Sequence, residues 1–169
     1  MSLRPIMEAH RQGYAENLYL DSETRTYVEE TGGANVLFVK ADGTLVVPKS
    51  HTDSILPSIT RRSLVQVAKD LGMNVEERFV EWAEVASGAF VECGLCGTAA
   101  VISPVGQIDN KVYGANEEVI FPEWQRRDRS RDEEASRNPH GHSRWSSGRQ
   151  ARLGLQDRRR LARIVDKLV

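Results

Sequence analysis

The strongest constraint on this chain is a break in its character at Glu123. From there EWQRRDRSRDEEASRNPHGHSRWSSGRQARLGLQDRR runs with few apolar residues, and such a stretch cannot bury enough surface to offset the entropy of ordering it. Only LARIVDKLV, at the very end, has the content for one or two amphipathic turns. A core must therefore come from residues 1–122, a length suited to a single domain. The charge divides at the same place. Residues 123–169 carry thirteen Lys and Arg against seven Asp and Glu, so the net charge of −1 hides an acidic body and a basic tail.

Within residues 1–122 the pattern is strand-rich. Segments 17–20 (NLYL), 26–29 (TYVE) and 35–40 (NVLFVK) are short β-branched or aromatic runs bounded by turn residues such as Asp21, Gly32 and Gly33. ADG at 41–43 turns the third run back into TLVV, making 35–47 a hairpin that Pro48 ends. In LPSITRRSLVQVAKDLGM, Leu64, Val67, Ala68 and Leu71 recur at helical spacing and Gly72 supplies the stop. A strand NVEERFV, a short helix over 81–86, a strand AFVEC, a glycine-containing turn and an apolar strand AAVISPV come next. A second hairpin is expected around Asp109 and Asn110, joining 107–108 to 111–113. The fold class is α+β with two main helices, not a series of βαβ repeats.

No apolar run approaches the ~18–20 residues that span a bilayer, and MSLRPIMEAHRQ lacks the apolar core of a secretory signal. The expected compartment is the cytoplasm. Cys93 and Cys96 have the spacing of a redox pair or half a zinc site. No second Cys/His pair stands at suitable spacing, so no metal is expected. His10 and His51 read as solvated loop or helix-end residues.

Three segments, in order and suitably separated, carry a family resemblance: YVEETGGANVLFV, ILPSITRRSL and CGTAAVISPVG. With the flanking EAHRQGYAENLYLD and DGTLVVP they resemble the class IV aminotransferases, most closely the branched-chain amino-acid aminotransferases, over roughly residues 8–122. The resemblance implies the C-terminal part of a D-amino-acid-aminotransferase-like (fold type IV) domain in 1–122, and pyridoxal 5′-phosphate as cofactor. It also implies exchange of an amino group between leucine, isoleucine or valine and 2-oxoglutarate, in a homodimer. Glu30 takes the place of the acid beside the pyridine nitrogen, which keeps the ring an electron sink; the neighbouring Glu29 should alternate to the other face of the strand. The backbone N–H groups of Ile59 and Thr60, at a helix start, match the phosphate cradle. Thr98 matches its other side, and the N–H of Ala99 the binder of the substrate carboxylate. Relatives usually have LPGITR, with glycine where this chain has Ser58; a positive φ there would strain serine by about a kcal/mol.

The family's cofactor-bearing lysine precedes the EAHRQGY-like segment, so the resemblance implies no residue of that role here. Lys40, Lys49, Lys69 and Lys111 do not stand in its context, and no turnover is expected of the chain alone. Beyond VIFP, relatives continue with a glycine-rich segment and a helix like KLRETLTGIQ. Codons can be chosen for residues 122–159 that, read one base later, give PNGRDGTGHETKLRETLTGIQ and beyond. A frameshift after Pro122 is the hypothesis for the Arg-rich tail, and coding DNA whose +1 frame lacks KLRETLTGIQ removes it. Alternatives inside the family are D-amino-acid aminotransferase and aminodeoxychorismate lyase. Outside it they are a non-catalytic basic-tailed protein binding nucleic acid, for which the tail's only aromatics are Trp124 and Trp145, and a functionless truncated product.

Overall fold

A computed structural model describes residues 3–50, 53–99, 101–111 and 115–122, together with Leu161 and Ile164. The chain opens with helix α1 (Leu3–Arg11), followed by β1 (Leu18–Leu20), β2 (Val28–Thr31), β3 (Asn35–Lys40) and β4 (Leu45–Pro48). Helix α2 (Ile59–Asp70), β5 (Val75–Arg78), α3 (Trp82–Ala86), β6 (Phe90–Cys96), β7 (Ser103–Val105), β8 (Gln107–Asn110) and β9 (Glu117–Ile120) complete it. The α+β expectation holds. Helix α1 is an addition to the two helices read from the sequence.

Strand β3 organises the main sheet because it is apolar through its middle, with residues 35–39 all buried. Antiparallel β6 pairs with it along its whole length, from Asn35 opposite Cys96 to Lys40 opposite Phe90. Its other edge is shared: β2 meets it only where Glu30 faces Asn35, and β4 only where Phe38 and Val39 face Val46 and Leu45. Strand β2 then leaves β3, pairing with β1 and donating the Val28 N–H to the Val80 carbonyl. Strands β4 and β5 run parallel. A parallel pair needs a long crossover, supplied by the segment after β4 and by α2.

Helix α2 explains itself locally. Ser58 caps its start, φ −114°, accepting the Arg61 N–H on its hydroxyl, and Leu64, Val65 and Ala68 are its buried face. At its end Met73 N–H reaches the Ala68 carbonyl and Gly72 N–H the Lys69 carbonyl, with Gly72 at φ +75°. That is a Schellman closure, and it needs a residue tolerant of the left-handed region.

The core gathers residues 36–39 and 45–47, Leu64 and Val85 around an aromatic group in which Phe38 stacks on Phe90 at 4.7 Å and Phe121 lies 6.4 Å away. Leu161 and Ile164 are also fully buried. The rest of the 123–169 tail lies outside the described residues.

Four boundaries differ from the expectations. The strand expected over 26–29 is displaced to Val28–Thr31, because the Asp21 carboxylate takes the N–H groups of Thr24, Thr26 and Tyr27 and holds them in a turn. The turn expected after AFVEC is strand. Gly94 continues β6, and a Cβ there would stand 3.1 Å from both Ile102 and Leu161, so close approach accounts for the glycine. The apolar strand expected over 99–105 is limited to Ser103–Val105. Asp109 and Asn110 end β8 and make no turn. Their partner is β9, Asn110 opposite Glu117, and the expected return strand 111–113 lies partly outside the described residues.

Candidate functional site

The three sequence segments meet at the end of the sheet where β3 begins. The ladder of Glu30, Asn35 and Cys96 puts the end of β2, the first residue of β3 and the last of β6 side by side. The segment before α2 joins them through Leu56, whose N–H lies 3.3 and 3.4 Å from the two Glu30 carboxylate oxygens. Asn35 closes the arrangement. Its side-chain amide donates to Glu30 Oε2 at 2.9 Å and reaches the Leu56 carbonyl at 3.4 Å.

Glu30 is partly buried, and that burial pushes its carboxyl up. The N–H of Leu56, the Arg61 charge and the Asn35 amide act the other way, while the neighbouring Glu29 charge adds to the rise. A group so placed would take a cation or a protonated ring nitrogen readily, because either supplies a counter-charge at contact distance. Glu29 is not a solvated strand-end acid: only 6% exposed, it accepts the Ser50 hydroxyl at 3.0 Å.

Ile59 and Thr60 are the first two residues of α2. Their N–H groups have no acceptor among the described residues, since Ser58 serves Arg61 and Arg62. Two free donors at the positive end of a twelve-residue helix suit an anion. The Ser58 backbone is extended, so the strain anticipated for a non-glycine residue does not arise; the serine instead caps the helix. Beside this turn Ile55, Pro57, Ser58, Arg61, Arg62, Val65 and Glu77 line a concavity of about 260 Å³. Arg61 is held in it by the Pro48 carbonyl at 3.1 Å and Glu77 at 3.7 Å.

Thr98 and Ala99 are exposed, in the bend that follows β6. They reach this end of the sheet because Gly97 lies against the turn at 33–34, where a Cβ would be 3.7 Å from the Gly33 carbonyl. No hydrogen bond among the described residues ties Thr98 or Ala99 to Glu30 or to α2. Asn35 is the site residue that sequence reasoning passed over. An asparagine opening an apolar strand, five residues past an acid across a Gly-Gly turn, was the available signal.

Cys93 and Cys96 are free thiols inside β6. Burial pushes both up, Cys96 to about 11 against a smaller opposing pull from Arg61, so neither forms a thiolate readily. His10, at the surface, donates its Nε2–H to the Ala15 carbonyl at 3.1 Å; His51 lies outside the described residues. No cluster of metal-ligating side chains occurs among the described residues. No helix among them is long and apolar enough to cross a membrane.

Residues 4–108 match the family model of amino-transferase class IV, and the chain belongs to that family. Among its relatives, the branched-chain-amino-acid aminotransferase of Helicobacter pylori is 46% identical over 108 residues, 62% of this chain and 31% of that protein. The solved branched-chain amino acid aminotransferase of Escherichia coli is similar at 39% identity with a TM-score of 0.53, over 60% of this chain and 32% of that one. Another branched-chain amino acid aminotransferase, from T.th. and solved with pyridoxamine 5′-phosphate, is similar at 36% identity and a TM-score of 0.53, over 60% of this chain and 31% of that one. The chain thus spans about a third of the length of the relatives it matches. These neighbours bear out the fold-type IV expectation.

Proposed function

We propose that residues 3–99 form the pyridoxal-phosphate-binding part of a branched-chain amino-acid aminotransferase. Its substrates are then leucine, isoleucine or valine and a 2-oxo acid such as 2-oxoglutarate. The observation that carries the reading is the convergence of Glu30, Asn35 and Leu56 beside a helix that begins with two unclaimed N–H donors. The residues present fit the cofactor: Glu30 is a partly buried acid with no ion-pair partner among the described residues, and α2 offers an anion site.

In this reading Glu30 holds the proton of the cofactor's ring nitrogen, and the Asn35 amide keeps the carboxylate aimed. The N–H groups of Ile59 and Thr60, with Thr98, hold the phosphate, and the N–H of Ala99 orients the substrate carboxylate. When bound, the cofactor supplies a ring that withdraws electrons from the substrate's Cα. Lys40 and Lys69 stand at the far ends of β3 and α2 from this site, so neither is a candidate for bonding to the cofactor. A homodimer in the cytoplasm is the assembly and setting the reading implies. The exposed Leu56 and Ile59 offer apolar surface for a second chain or domain, and two free thiols suit a reducing compartment.

The test is titration of the 169-residue chain with pyridoxal phosphate, followed by absorbance. Saturable binding, weakened about tenfold or more by Glu30→Gln as a charge-assisted hydrogen bond is lost, is the expected result. Borohydride should fix no lysine adduct, and leucine with 2-oxoglutarate should not turn over. Absence of saturable binding overturns the cofactor assignment, and a stable adduct at one lysine overturns the prediction of inactivity.

A further inference from the structure

Two acids stand next to each other on β2, and the cofactor reading uses only Glu30. Glu29 is the more buried of the pair, and a buried carboxylate is retained only with partners. Its Oε1 accepts the Ser50 hydroxyl at 3.0 Å. The same Ser50 oxygen accepts the N–H of Ser54 at 2.8 Å and lies 3.0 Å from the Ser54 hydroxyl. One side chain thus ties β2 to both Ser50 and Ser54, and between them Asp53 stands at φ +55°. That left-handed conformation costs a non-glycine residue energy unless the surroundings impose it.

The stretch beginning at Ser54 is the part of the chain the site depends on. Leu56, two residues on, gives its N–H to Glu30 and its carbonyl to Asn35, and Ser58, two further on, caps α2. Ile55 is the one buried apolar side chain of this stretch, while Leu56 and Ile59 are 71% and 75% exposed. One apolar anchor leaves the backbone on either side of it to hydrogen bonds, at Ser50 and Ser54 on one side and in the helix on the other. Glu29 and Glu30, pointing alternately from one strand, therefore grip the same segment, one at Ser50 and the other at Leu56.

We propose that Glu29, acting through Ser50 and Ser54, is the positioning residue that fixes residues 54–58, and so sets the Leu56 contact to Glu30 and the placement of the α2 donors. Its role toward the phosphate rests on the cofactor reading above; its role toward the backbone does not. Nothing is transferred in this role. It is preorganisation, which raises affinity by removing the ordering cost of binding.

The experiment uses the full chain and its Ser50→Ala, Ser50→Thr, Glu29→Ala and doubly substituted forms, with two readouts. In amide hydrogen exchange, Ser50→Ala is expected to speed exchange at Ser54 and Leu56 about tenfold, the worth of a hydrogen bond to a charged group, and Ser50→Thr to restore it. Once Glu29 is alanine, removing the Ser50 hydroxyl should add less at Leu56 than it does in the wild-type chain, although Ser54 still loses its direct acceptor. In ligand titration, Ser50→Ala should weaken pyridoxal 5′-phosphate about as much and pyridoxal, which has the ring nitrogen but no phosphate, distinctly less; a general loss of structure would weaken both equally. Wild-type exchange rates in Ser50→Ala, or fully additive effects of the two alanines, overturn the proposal. Equal loss of both ligands overturns its phosphate part. If Glu29→Ala does not fold, the serine variants decide. If the wild-type chain binds no pyridoxal phosphate, the cofactor reading falls, and exchange still decides the positioning role.

Discussion

At the scale of single residues, the carboxyls beside β2 are a contest between burial and hydrogen bonding, and Asp21, in the turn before the strand, and Glu30, in the site, resolve it differently. Asp21 is buried, which pushes its carboxyl up, but the N–H groups of Tyr27, Thr24 and Thr26 and the Thr24 hydroxyl outweigh this and hold it well below the ordinary range. Glu30 has the opposite balance and remains raised, burial being the larger effect. A carboxyl whose proton affinity is raised by folding supports the fold while protonated and loses that contribution as pH rises through its folded-state value. Glu30→Gln removes the ionisation. In urea unfolding without ligand, its stability relative to wild type should improve from about pH 4 to about pH 7, and a relative loss over that interval contradicts the account. On the proposed cofactor reading the same substitution weakens binding, so stability and function would pull apart at this residue, as expected where a charge awaits its counter-charge.

The elements are joined by a few backbone positions whose chemistry is specific. Helix α2 matters most, because its start bears the free N–H donors and its end returns the chain to β5. Gly72 makes that return at φ +75° with open space where a Cβ would stand. Gly72→Ala should therefore cost about 1–2 kcal/mol from backbone strain alone, read as a lower urea midpoint with an unchanged slope. Binding at the far end of the helix should be unaffected. On β5 the outer edge is charged. Arg78 bridges Glu76 at 3.0 Å and Glu84 at 2.6 Å, and Lys40 also meets Glu76, an arrangement that discourages further strand pairing.

For the molecule as a whole, Leu161 and Ile164 join a core otherwise made by residues 28–121. The Leu161 N–H reaches the buried Glu92 carboxylate at 3.2 Å, and its side chain meets the surface that Gly94 leaves open. Leu161→Ala should lower unfolding free energy by about 2–5 kcal/mol, the usual cost of a large-to-small change in a core, measured by chemical denaturation. A change within ~0.5 kcal/mol would show that the body folds without this contact. The expectation for the tail rested on its lack of apolar residues, and these two belong to the short apolar stretch at its end.

Local chemistry was legible in the sequence. The helical spacing of Leu64, Ala68 and Leu71, its Gly72 stop, the hairpin turn at 41–43 and the order of the three family segments need only neighbouring residues to be recognised, and the structure has α2, β3 and β4 nearly where that reading put them. Local signals misled where a distant partner decides. Gly94 looked like a turn because glycine commonly makes one, yet it is strand because it pairs with Leu37 and Pro104, and it is glycine because Ile102 and Leu161 approach closely. Asp109 and Asn110 looked like a hairpin tip, yet they stand in a ladder opposite Glu118 and Glu117. The hold of Asn35 on Leu56 and of Glu29 on Ser50 was unreadable for the same reason, since each partner is 21 residues away. The sequence by itself determined where α2 and the β3–β4 hairpin lie and which family the motifs belong to, since propensity, periodicity and motif order are carried by the chain directly. Only the tertiary structure decided which polar groups are buried, what each is bonded to and which donors stay free, because burial and hydrogen bonding are relations between segments that have no trace in either segment alone.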